Sequence, residues 1–471
     1  MTRYRTLALI VLVAVANGLF FIWYQQPDWN TRAWPDQVGY RRLAEVLATT
    51  GKFTKAPDAP QFSPEVIRTP VYPLFVATIY KVAGTGQVPV ALAQTALFAA
   101  ICVLVYTIAR RVAGERVAIV AATATALFPP IPYFGALVMT EVWTTFLFTL
   151  SIWMAIRALE TKSLASFAAL GIVLALTGLS RPVFFLFPFA LAAVGLVIFP
   201  LAGVKNGPSL RAWATLCAAA MVTLLPWFAY NYVTLGRFTI SPAGGVGRGL
   251  WEGQWQATWS GSLQKELTNV AEATDDRAVL DERIRAIAAR EHTSAAPMLE
   301  YVHQWQDIRL IWTAPEDPFE RITARIKADR EYQRVAIENL KREPILHIAK
   351  RLARGLGVLW IGQIPFRYSE IDSVPPLVRQ LCYAIQALLL LVACAGAVVL
   401  FRRGFAVQSL ILATPIVYIT VVHFWLLKEA RQSLPVQPVL LILATFGLAA
   451  FIGLTRGSLP FEPQVHEREH L

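Results

Sequence analysis

Six charged side chains in the polar segments between apolar stretches are the candidates for chemistry. They are two acids and four bases, namely Asp36, Glu141, Arg68, Arg181, Lys428 and Arg431. A carboxylate accepts a proton from an attacking hydroxyl, and at an unperturbed pKa of ~3.9 an aspartate is ionised at neutral pH. Guanidinium and ammonium groups bind phosphate oxygens and stabilise the charge that grows on a leaving phosphate. These residue types therefore suit the displacement of a phosphate by a hydroxyl.

Asp36 stands at the start of a predicted helix over residues 37–48, in which Tyr40 and Leu43 lie on one side. Aspartate is a favoured N-cap, and its charge suits the positive end of the helix dipole. That structural explanation is sufficient by itself. It is also compatible with chemistry, because a capping carboxylate at a membrane surface can still face a site.

Arg68 begins the segment Arg68-Thr69-Pro70-Val71-Tyr72-Pro73. Two prolines three residues apart fix the direction of the chain there. Arg68 is then either a long side chain that reaches the lipid headgroups or a phosphate ligand with paired donors. Glu141 follows Thr140 at the start of another predicted helix, where it serves the helix dipole or the site.

The composition indicates an all-α polytopic membrane protein. Of the 471 residues, 56% are hydrophobic and only 16% are charged, and the mean hydropathy is +0.49. These values exclude a disordered, fibrous or disulfide-rich secreted chain. The net charge of +12 comes from short basic clusters between apolar runs, which is how membrane proteins mark their cytoplasmic loops. We therefore expect a membrane as partner and no nucleic acid. The 4 cysteines show no metal-binding spacing.

About ten runs (ten to thirteen) are apolar enough to cross a bilayer core of ~30 Å as helices. They lie near 6–24, 86–109, 117–135, 140–158, 164–180, 183–200, 212–230, 377–401, 405–425 and 433–454. The first run resembles a signal peptide, but more apolar sequence follows its small residues, so we interpret it as a retained anchor.

We divide the chain into three parts. An N-terminal membrane module covers 1–230 and includes a first outer loop over 25–85. A large extracytoplasmic region with amphipathic helices covers 231–376, and C-terminal helices with a cytoplasmic tail cover 377–471. Both termini are then predicted in the cytoplasm, with the basic clusters on the inner side of a bacterial cytoplasmic (inner) membrane. Residues 347–364 alternate basic and apolar side chains, which predicts a helix in the membrane interface.

This topology places Arg181, Lys428 and Arg431 on the outer side, where cations are least expected. An anionic ligand or an acidic neighbour would account for them. Lys428 and Arg431 are three residues apart, so in a helix they would share one face. We expect the acids and bases to converge at the outer end of the helices, with a hollow between Asp36 and Arg68.

The order of these motifs resembles that of the GT-C glycosyltransferases, in particular the aminoarabinose-transferase and protein-mannosyltransferase-like branch. The resemblance runs over most of the chain, and each motif is weak alone whereas their order together is fairly specific. It rests on Asp36 to Tyr40, Arg68-Thr69-Pro70-Val71-Tyr72-Pro73, Thr140-Glu141, Arg181-Pro182, Pro226-Trp227, Asn231-Tyr232, Gly236-Arg237-Phe238 and Arg431-Gln432-Ser433-Leu434-Pro435-Val436-Gln437-Pro438.

Three positions depart from the family pattern. Gln37 stands where an acid usually follows Asp36, Glu141 stands for an aspartate, and Gln432 stands for a tyrosine. Carboxylate pairs are the usual oxygen ligands of metals, so the first departure points to a different or absent metal requirement. The sequence leaves a divalent metal cofactor open.

The resemblance implies an inverting membrane glycosyltransferase with an extracytoplasmic active site. It would move a monosaccharide from a polyprenyl-phosphate donor, similar to undecaprenyl phosphate, to a hydroxyl or phosphate on a glycan, lipid or protein acceptor. Such enzymes modify lipopolysaccharide or other cell-envelope glycans. Asp36 would be the general base, and Glu141 would support the site or bind the sugar. The substrate-binding residues would be Tyr40, Arg68, Tyr72, Arg181, Lys428 and Arg431.

Two other functions remain open from the sequence. A polymerase or ligase of lipid-linked glycans would use the same membrane face, with a diphosphate-linked oligosaccharide as donor. A lipid or sugar transporter (flippase) would show two related halves and charged or broken helices at mid-membrane. We find no internal repeat in the sequence, and the ionisable residues crowd one face, which disfavours transport.

Overall fold

The computed structural model describes residues 2–31, 33–204, 207–256, 258–364 and 373–453. All regular structure within these ranges is helical, which confirms the all-α fold class. Two features of the predicted topology, the basic residue Lys205 and the polar tail over 456–471, lie outside the described residues.

The chain before residue 236 forms helices that make up most of the membrane module. They are α1 (Thr2–Gln25), α2 (Pro35–Thr50), α3 (Val71–Ala83), α4 (Gln87–Ala113), α5 (Glu115–Ala126), α6 (Pro130–Gly135), α7 (Glu141–Thr161), α8 (Leu164–Ser180), α9 (Phe187–Ala193), α10 (Phe199–Leu201) and α11 (Leu210–Leu235). A π-helical segment, Val194–Ile198, joins α9 to α10.

The following helices form the outer region and the C-terminal part. They are α12 (Val246–Trp255), α13 (Gly261–Ala273), α14 (Arg277–Arg290), α15 (Ala295–Thr313), α16 (Pro318–Arg342), α17 (Ile345–Ile361), α18 (Pro376–Arg402), α19 (Ala406–Val422) and α20 (Gln437–Phe451).

Seven helical stretches of the described chain are long and apolar enough to cross a membrane. They are Tyr4–Asp28, Gln87–Ala113, Glu141–Thr161, Pro182–Leu201, Leu210–Leu235, Pro376–Arg402 and Leu434–Phe451. Each coincides with a predicted run. Two further predicted runs coincide with the shorter apolar helices α8 and α19, which at 1.5 Å per residue are about 26 Å long. The chain is thus a multi-pass membrane protein, and its count of ten crossings stays a prediction.

The run predicted over 117–135 is not one continuous helix, so that prediction is wrong. α5 ends at Ala126, and a separate short helix, α6, begins at Pro130. Pro129 and Pro130 explain the break, because proline lacks a backbone N–H and disfavours helical geometry in the residue before it. The break matters for function, since it turns the chain toward Glu141.

The two ends of the helix bundle carry different charged groups. Arg111 at the end of α4 pairs with Glu160 at the end of α7, with nitrogen and oxygen 3.6 Å apart. Asp36, Glu141 and Arg431 lie at the other end, near the start of α4 and α7. A helix with the 27 residues of α4 is about 40 Å long, so the bundle separates these groups by roughly a membrane thickness.

The outer region has its own hydrophobic core, built by α12 to α16. Trp251 is fully buried there and stacks on Tyr301, with ring centroids 5.2 Å apart. The helical runs predicted near 263–290 and 317–345 are confirmed as α13, α14 and α16. The helix predicted over residues 347–364 is present as α17, whose basic and apolar residues lie on opposite faces. Its position in the membrane interface stays a prediction.

Candidate active site

Asp36 is the second residue of α2, after Pro35. The N-cap is Trp34, and no side chain caps this helix end. The capping explanation for Asp36 is therefore wrong. Its carboxylate contacts arginines that come from distant parts of the chain.

Two arginines hold the carboxylate of Asp36. Both terminal nitrogens of Arg431, Nη1 and Nη2, donate to Asp36 Oδ2 at 3.2 Å. Nη2 of Arg68 donates to the other oxygen, Oδ1, at 3.5 Å. The Asp36 side chain keeps 46% of its surface exposed, so the carboxylate is accessible between the two guanidinium groups.

Glu141 lies behind this pair, at the first position of α7, and only 1% of its side chain is exposed. Its Oε1 is 3.5 Å from Arg431 Nη1 and 3.9 Å from Arg181 Nη1. Arg181 also donates to the backbone carbonyl of Arg431 at 3.3 Å. Asp36 and Glu141 thus lie at the same end of the bundle and share one arginine, as predicted for a common site.

Arg68 is anchored on its other side by Glu65, whose Oε2 lies 3.8 Å from Arg68 Nη1. Glu65 is fixed in turn, because its Oε1 accepts the backbone N–H of Ile67 at 2.9 Å. The guanidinium carbon of Arg68 lies 4.8 Å from the ring centroid of Tyr40, a cation–π contact. Glu65 and Tyr40 therefore fix the position of the Arg68 guanidinium beside Asp36.

Gly39 allows this approach of Arg68 to α2. A β-carbon at position 39 would overlap the Arg68 guanidinium. Glycine weakens a helix interior relative to alanine, and here the missing side chain makes room for the cation beside Asp36.

Trp227 and Asn231, near the end of α11, help to hold the segment that ends in Arg68. Trp227 Nε1 donates to the carbonyl of Ile240 at 2.7 Å, and Asn231 donates to that of Thr239 at 2.7 Å. These bonds fold the chain back over the helix end. The hydroxyl of Ser241 then donates to the carbonyl of Ile67 at 2.9 Å. The Pro-Trp and Asn-Tyr pairs therefore position Arg68 from a distance.

Buried glutamines fix the turn between α6 and α7. Gln37 donates to Gln87 at 2.7 Å, and Gln87 donates to the carbonyl of Ala136 at 3.0 Å. Gln94 donates to the carbonyl of Leu137 at 2.7 Å and accepts the hydroxyl of Tyr72 at 3.3 Å. The turn leads directly to Glu141. Gln37, which departs from the family's acid, therefore has a structural role here.

Tyr40 and Tyr72 pack edge to face, with ring centroids 5.1 Å apart. Tyr40 also contacts Arg68, so it borders the cluster, whereas the hydroxyl of Tyr72 is engaged in the glutamine layer. Substrate binding by either tyrosine stays a prediction.

Sequence reasoning missed two residues that orient Arg431. Glu429 accepts a hydrogen bond from Arg431 Nε at 2.8 Å, and the Arg431 guanidinium lies 5.7 Å from the Trp34 ring. Glu429 and Gln432 form a capping box around the short 3-10 helix Ala430–Gln432. An acid followed three residues later by glutamine was the signal that could have found Glu429.

Lys428 does not share a face with Arg431, so that expectation is wrong. The segment 423–429 is not a regular helix, and the two side chains diverge. Lys428 is buried, its ammonium donates to the carbonyl of Leu426 at 3.1 Å, and its side chain lies against Gly355 of α17. Burial lowers the pKa of Lys428 to about 8. The structure thus brings together five of the six predicted charged residues and leaves Lys428 apart.

No hollow separates Asp36 from Arg68, which corrects a second expectation. The two groups touch as an ion pair, because opposite charges at a partly buried site attract strongly. A ligand phosphate must therefore compete with carboxylates for the arginines. The pairing also sets the acidity of Asp36. Burial by itself raises the pKa of this carboxyl, but the charges of Arg431 and Arg68 outweigh burial and hold the pKa below its ordinary value.

Metal binding was left open by the sequence. Within the part of the chain that the structure describes, no group of three or more His, Cys, Asp or Glu side chains could hold a metal ion. Arginines separate the acids of this cluster, so positive charge at the site comes from side chains.

Residues 67–230 match the family model described as dolichyl-phosphate-mannose-protein mannosyltransferase. This span begins one residue before Arg68 and includes Glu141 and Arg181. No curated protein matches the sequence of the chain.

Three solved structures are similar to this one. An oligosaccharyltransferase from Archaeoglobus fulgidus, tethered to an acceptor peptide, has a TM-score of 0.53 and 14% identity, and the match covers 96% of this chain and 50% of that chain. The oligosaccharyltransferase AglB from the same organism, with an inhibitory peptide and a dolichol-phosphate, has a TM-score of 0.52 and 15% identity, with 98% and 52% covered. ArnT from Cupriavidus metallidurans, bound to undecaprenyl phosphate, has a TM-score of 0.40 and 16% identity, with 94% and 78% covered.

This chain spans about half the length of the two oligosaccharyltransferases. At these identities the likeness concerns the fold. The family model covers residues 67–230 of the 471. The chain is therefore a polytopic membrane protein that is similar in fold to these oligosaccharyltransferases and, over that span, similar in sequence to the mannosyltransferase family.

Proposed function

We propose that this protein is an inverting glycosyltransferase that moves a monosaccharide from a polyprenyl-phosphate donor to a hydroxyl or phosphate acceptor on a glycan, lipid or protein. Its site would face the extracytoplasmic side of a bacterial cytoplasmic membrane, with both termini in the cytoplasm. The observation that carries the proposal is the accessible Asp36 carboxylate held between Arg68 and Arg431 at one end of the helix bundle.

The reaction uses the acid and the cations in separate roles. The acceptor oxygen attacks the anomeric carbon opposite the phosphate, and Asp36 takes the proton of the acceptor hydroxyl. The bond from the anomeric carbon to the phosphate oxygen breaks, and its electron pair leaves with the polyprenyl phosphate. The phosphate changes from a diester to a monoester and gains negative charge, which Arg68 and Arg431 stabilise.

Donor binding also strengthens the base. Because Arg431 and Arg68 hold its pKa below the ordinary value of an aspartate, Asp36 is ionised but only weakly basic. A donor phosphate that engages Arg68 and Arg431 withdraws part of their charge from the carboxylate. The pKa of Asp36 then rises, and the acceptor proton is taken only when the donor is in place. Glu141 and Arg181 hold Arg431 at the correct position.

A reconstitution assay tests the proposal directly. The purified protein in nanodiscs receives synthetic polyprenyl-phosphate monosaccharides or polyprenyl-diphosphate oligosaccharides, and mass spectrometry detects the released lipid. We expect turnover of the monophosphate, and we expect it to continue in EDTA, because arginines already neutralise the acids. Turnover of the diphosphate donor alone would contradict the proposed donor, and loss in EDTA with rescue by Mg²⁺ or Mn²⁺ would establish a metal.

Arg68→Ala is expected to weaken donor binding by about 10- to 100-fold. The estimate corresponds to the loss of one charge-assisted contact of about 1.5–3 kcal/mol. Equilibrium binding of a polyprenyl phosphate to protein in nanodiscs measures it. Lys55→Ala is the matched control, since Lys55 pairs with the same Glu65 at 3.0 Å but has no contact with Asp36. Unchanged affinity in Arg68→Ala would assign phosphate binding elsewhere.

A ligase of lipid-linked oligosaccharides is the second candidate, and the fold shared with oligosaccharyltransferases favours it. The reconstitution assay separates the two by the donor that is consumed. A transporter would move labelled lipid between leaflets and form no glycosidic bond.

A further inference from the structure

A pocket of about 610 Å³ lies apart from the Asp36 cluster, where α12, α15, α16 and α17 meet. Basic residues dominate its charged lining. Four of the lining side chains are cationic and two are acidic, namely Arg342, Lys350, Arg351 and Arg354 with Glu300 and Glu343.

One of these cations, Arg351, is already bonded within the wall of the pocket. Arg351 is 7% exposed and donates to Glu343 at 2.6 Å and to the carbonyl of Gln254 at 3.0 Å. The charges of Arg351 and Glu343 therefore cancel each other. Among the described lining residues, Arg342 and Lys350 add positive charge that the remaining acid, Glu300, offsets only in part, so the cavity attracts an anion.

α17 sets the level of the pocket relative to the bilayer. Its pocket-lining residues recur at helical spacing on one face, at His347, Lys350, Arg351 and Arg354. The opposite face is apolar and begins with Ile345, which is 80% exposed. A helix with this division lies in the membrane interface, so the basic face stands at the depth of lipid headgroups.

We infer that this pocket binds the phosphate of an anionic lipid headgroup, and that this lipid is the acceptor of the proposed reaction. The second part of this inference, that the bound lipid is the acceptor, rests on the proposed function. A volume of 610 Å³ exceeds one phosphate and suits a headgroup that carries further polar groups. Arginine and lysine side chains supply the phosphate contacts.

The pocket also adjoins the segment that carries Arg431. Gln256 follows the pocket residues Gln254 and Trp255, and its side-chain amide bonds both the backbone N–H of Lys428, at 3.0 Å, and the Lys428 carbonyl. Three residues span at most about 11 Å, so Lys428 and Arg431 are close. The pocket is therefore connected through Gln256 to the turn that presents Arg431 to the donor.

The test uses the full chain in phosphatidylcholine nanodiscs with or without phosphatidic acid, a phosphate-monoester lipid. Native mass spectrometry measures retained phosphatidic acid. We expect Arg342→Ala combined with Lys350→Ala to lower its affinity about tenfold or more, through the loss of two cations. Lys341→Ala is the matched control, because Lys341 neighbours Arg342 in the last turn of α16 but does not line the pocket. Donor binding is expected to stay unchanged.

In the transfer assay, the same double variant is expected to raise the acceptor KM and leave the donor KM and kcat unchanged. Wild-type affinity for phosphatidic acid in the double variant, or equal loss in Lys341→Ala, would overturn the site. Displacement of the lipid by inorganic phosphate at equal concentration would overturn the lipid assignment. If the wild-type protein binds phosphatidic acid selectively but transfers no sugar, the proposed function and the acceptor role are wrong, whereas the lipid-binding site itself stands.

Discussion

Asp36→Asn is expected to reduce kcat by about 10²- to 10⁴-fold, the usual contribution of a general base. Asparagine has nearly the same shape and can still accept a hydrogen bond from Arg431, but it cannot take a proton. The protein should fold and bind the polyprenyl phosphate. Steady-state transfer rates and lipid binding in nanodiscs measure the two effects separately.

Asp58→Asn is the matched control, because Asp58 is an exposed acid of the same outer loop. Its rate should equal that of the wild type. The pH profile gives a second check: the base acts in its ionised form, and the charges of Arg431 and Arg68 lower the pKa of Asp36 in the free enzyme. The acidic limb of kcat/KM attributable to Asp36 should therefore lie at a lower pH than an aspartate with an ordinary pKa would give. Normal turnover in Asp36→Asn would remove Asp36 from the role of base.

Arg431→Ala is expected to remove activity and to lower the free energy of unfolding by about 3 kcal/mol, the lower end of the range for breaking a buried ion pair. Arg431 contacts Asp36, Glu141 and Glu429 together. Its loss leaves Glu141 buried with Arg181 alone, at 3.9 Å. Thermal unfolding in nanodiscs and the transfer assay measure the two effects.

A double variant separates stability from catalysis. Glu141→Gln in the Arg431→Ala background removes the uncompensated buried charge, so most of the lost stability should return while activity stays absent. Arg431→Lys should recover part of the stability, but a single ammonium cannot bridge three carboxylates in the way that a guanidinium fork does. An Arg431→Ala protein with wild-type unfolding behaviour would show that the cluster does not stabilise the fold.

Much of the fold and of the cluster is predictable from the sequence. Seven of the ten predicted apolar runs coincide with helices that are long and apolar enough to cross a membrane, because lipid permits few alternatives to a continuous helix. The cluster was predictable because the predicted topology puts Arg181 and Arg431 on the side of the membrane where the charge rule disfavours cations. Such violations need compensating partners, and the structure supplies Glu141 for both.

Other features depend on side-chain directions that periodicity does not reveal. Lys428 diverges from Arg431 because the turn before α20 is irregular and α17 packs over it at Gly355. The glutamine layer depends on the backbone carbonyls of Ala136 and Leu137, which are free for side chains because the chain turns between α6 and α7. The contact between Asp36 and Arg68 reflects a balance between two ion pairs, which a residue pattern cannot show.

The cluster joins two parts of the chain that are 395 residues apart, Asp36 and Arg431. A ribosome delivers the N-terminal part first, so Asp36 and the buried Glu141 enter the membrane long before their shared arginine has been synthesised. Until the last hairpin inserts, Arg181 and Arg68 alone must neutralise them. Under the proposed function, a partly translated chain would have the Asp36 carboxylate but would lack the arginine that completes the site, so it should transfer no sugar.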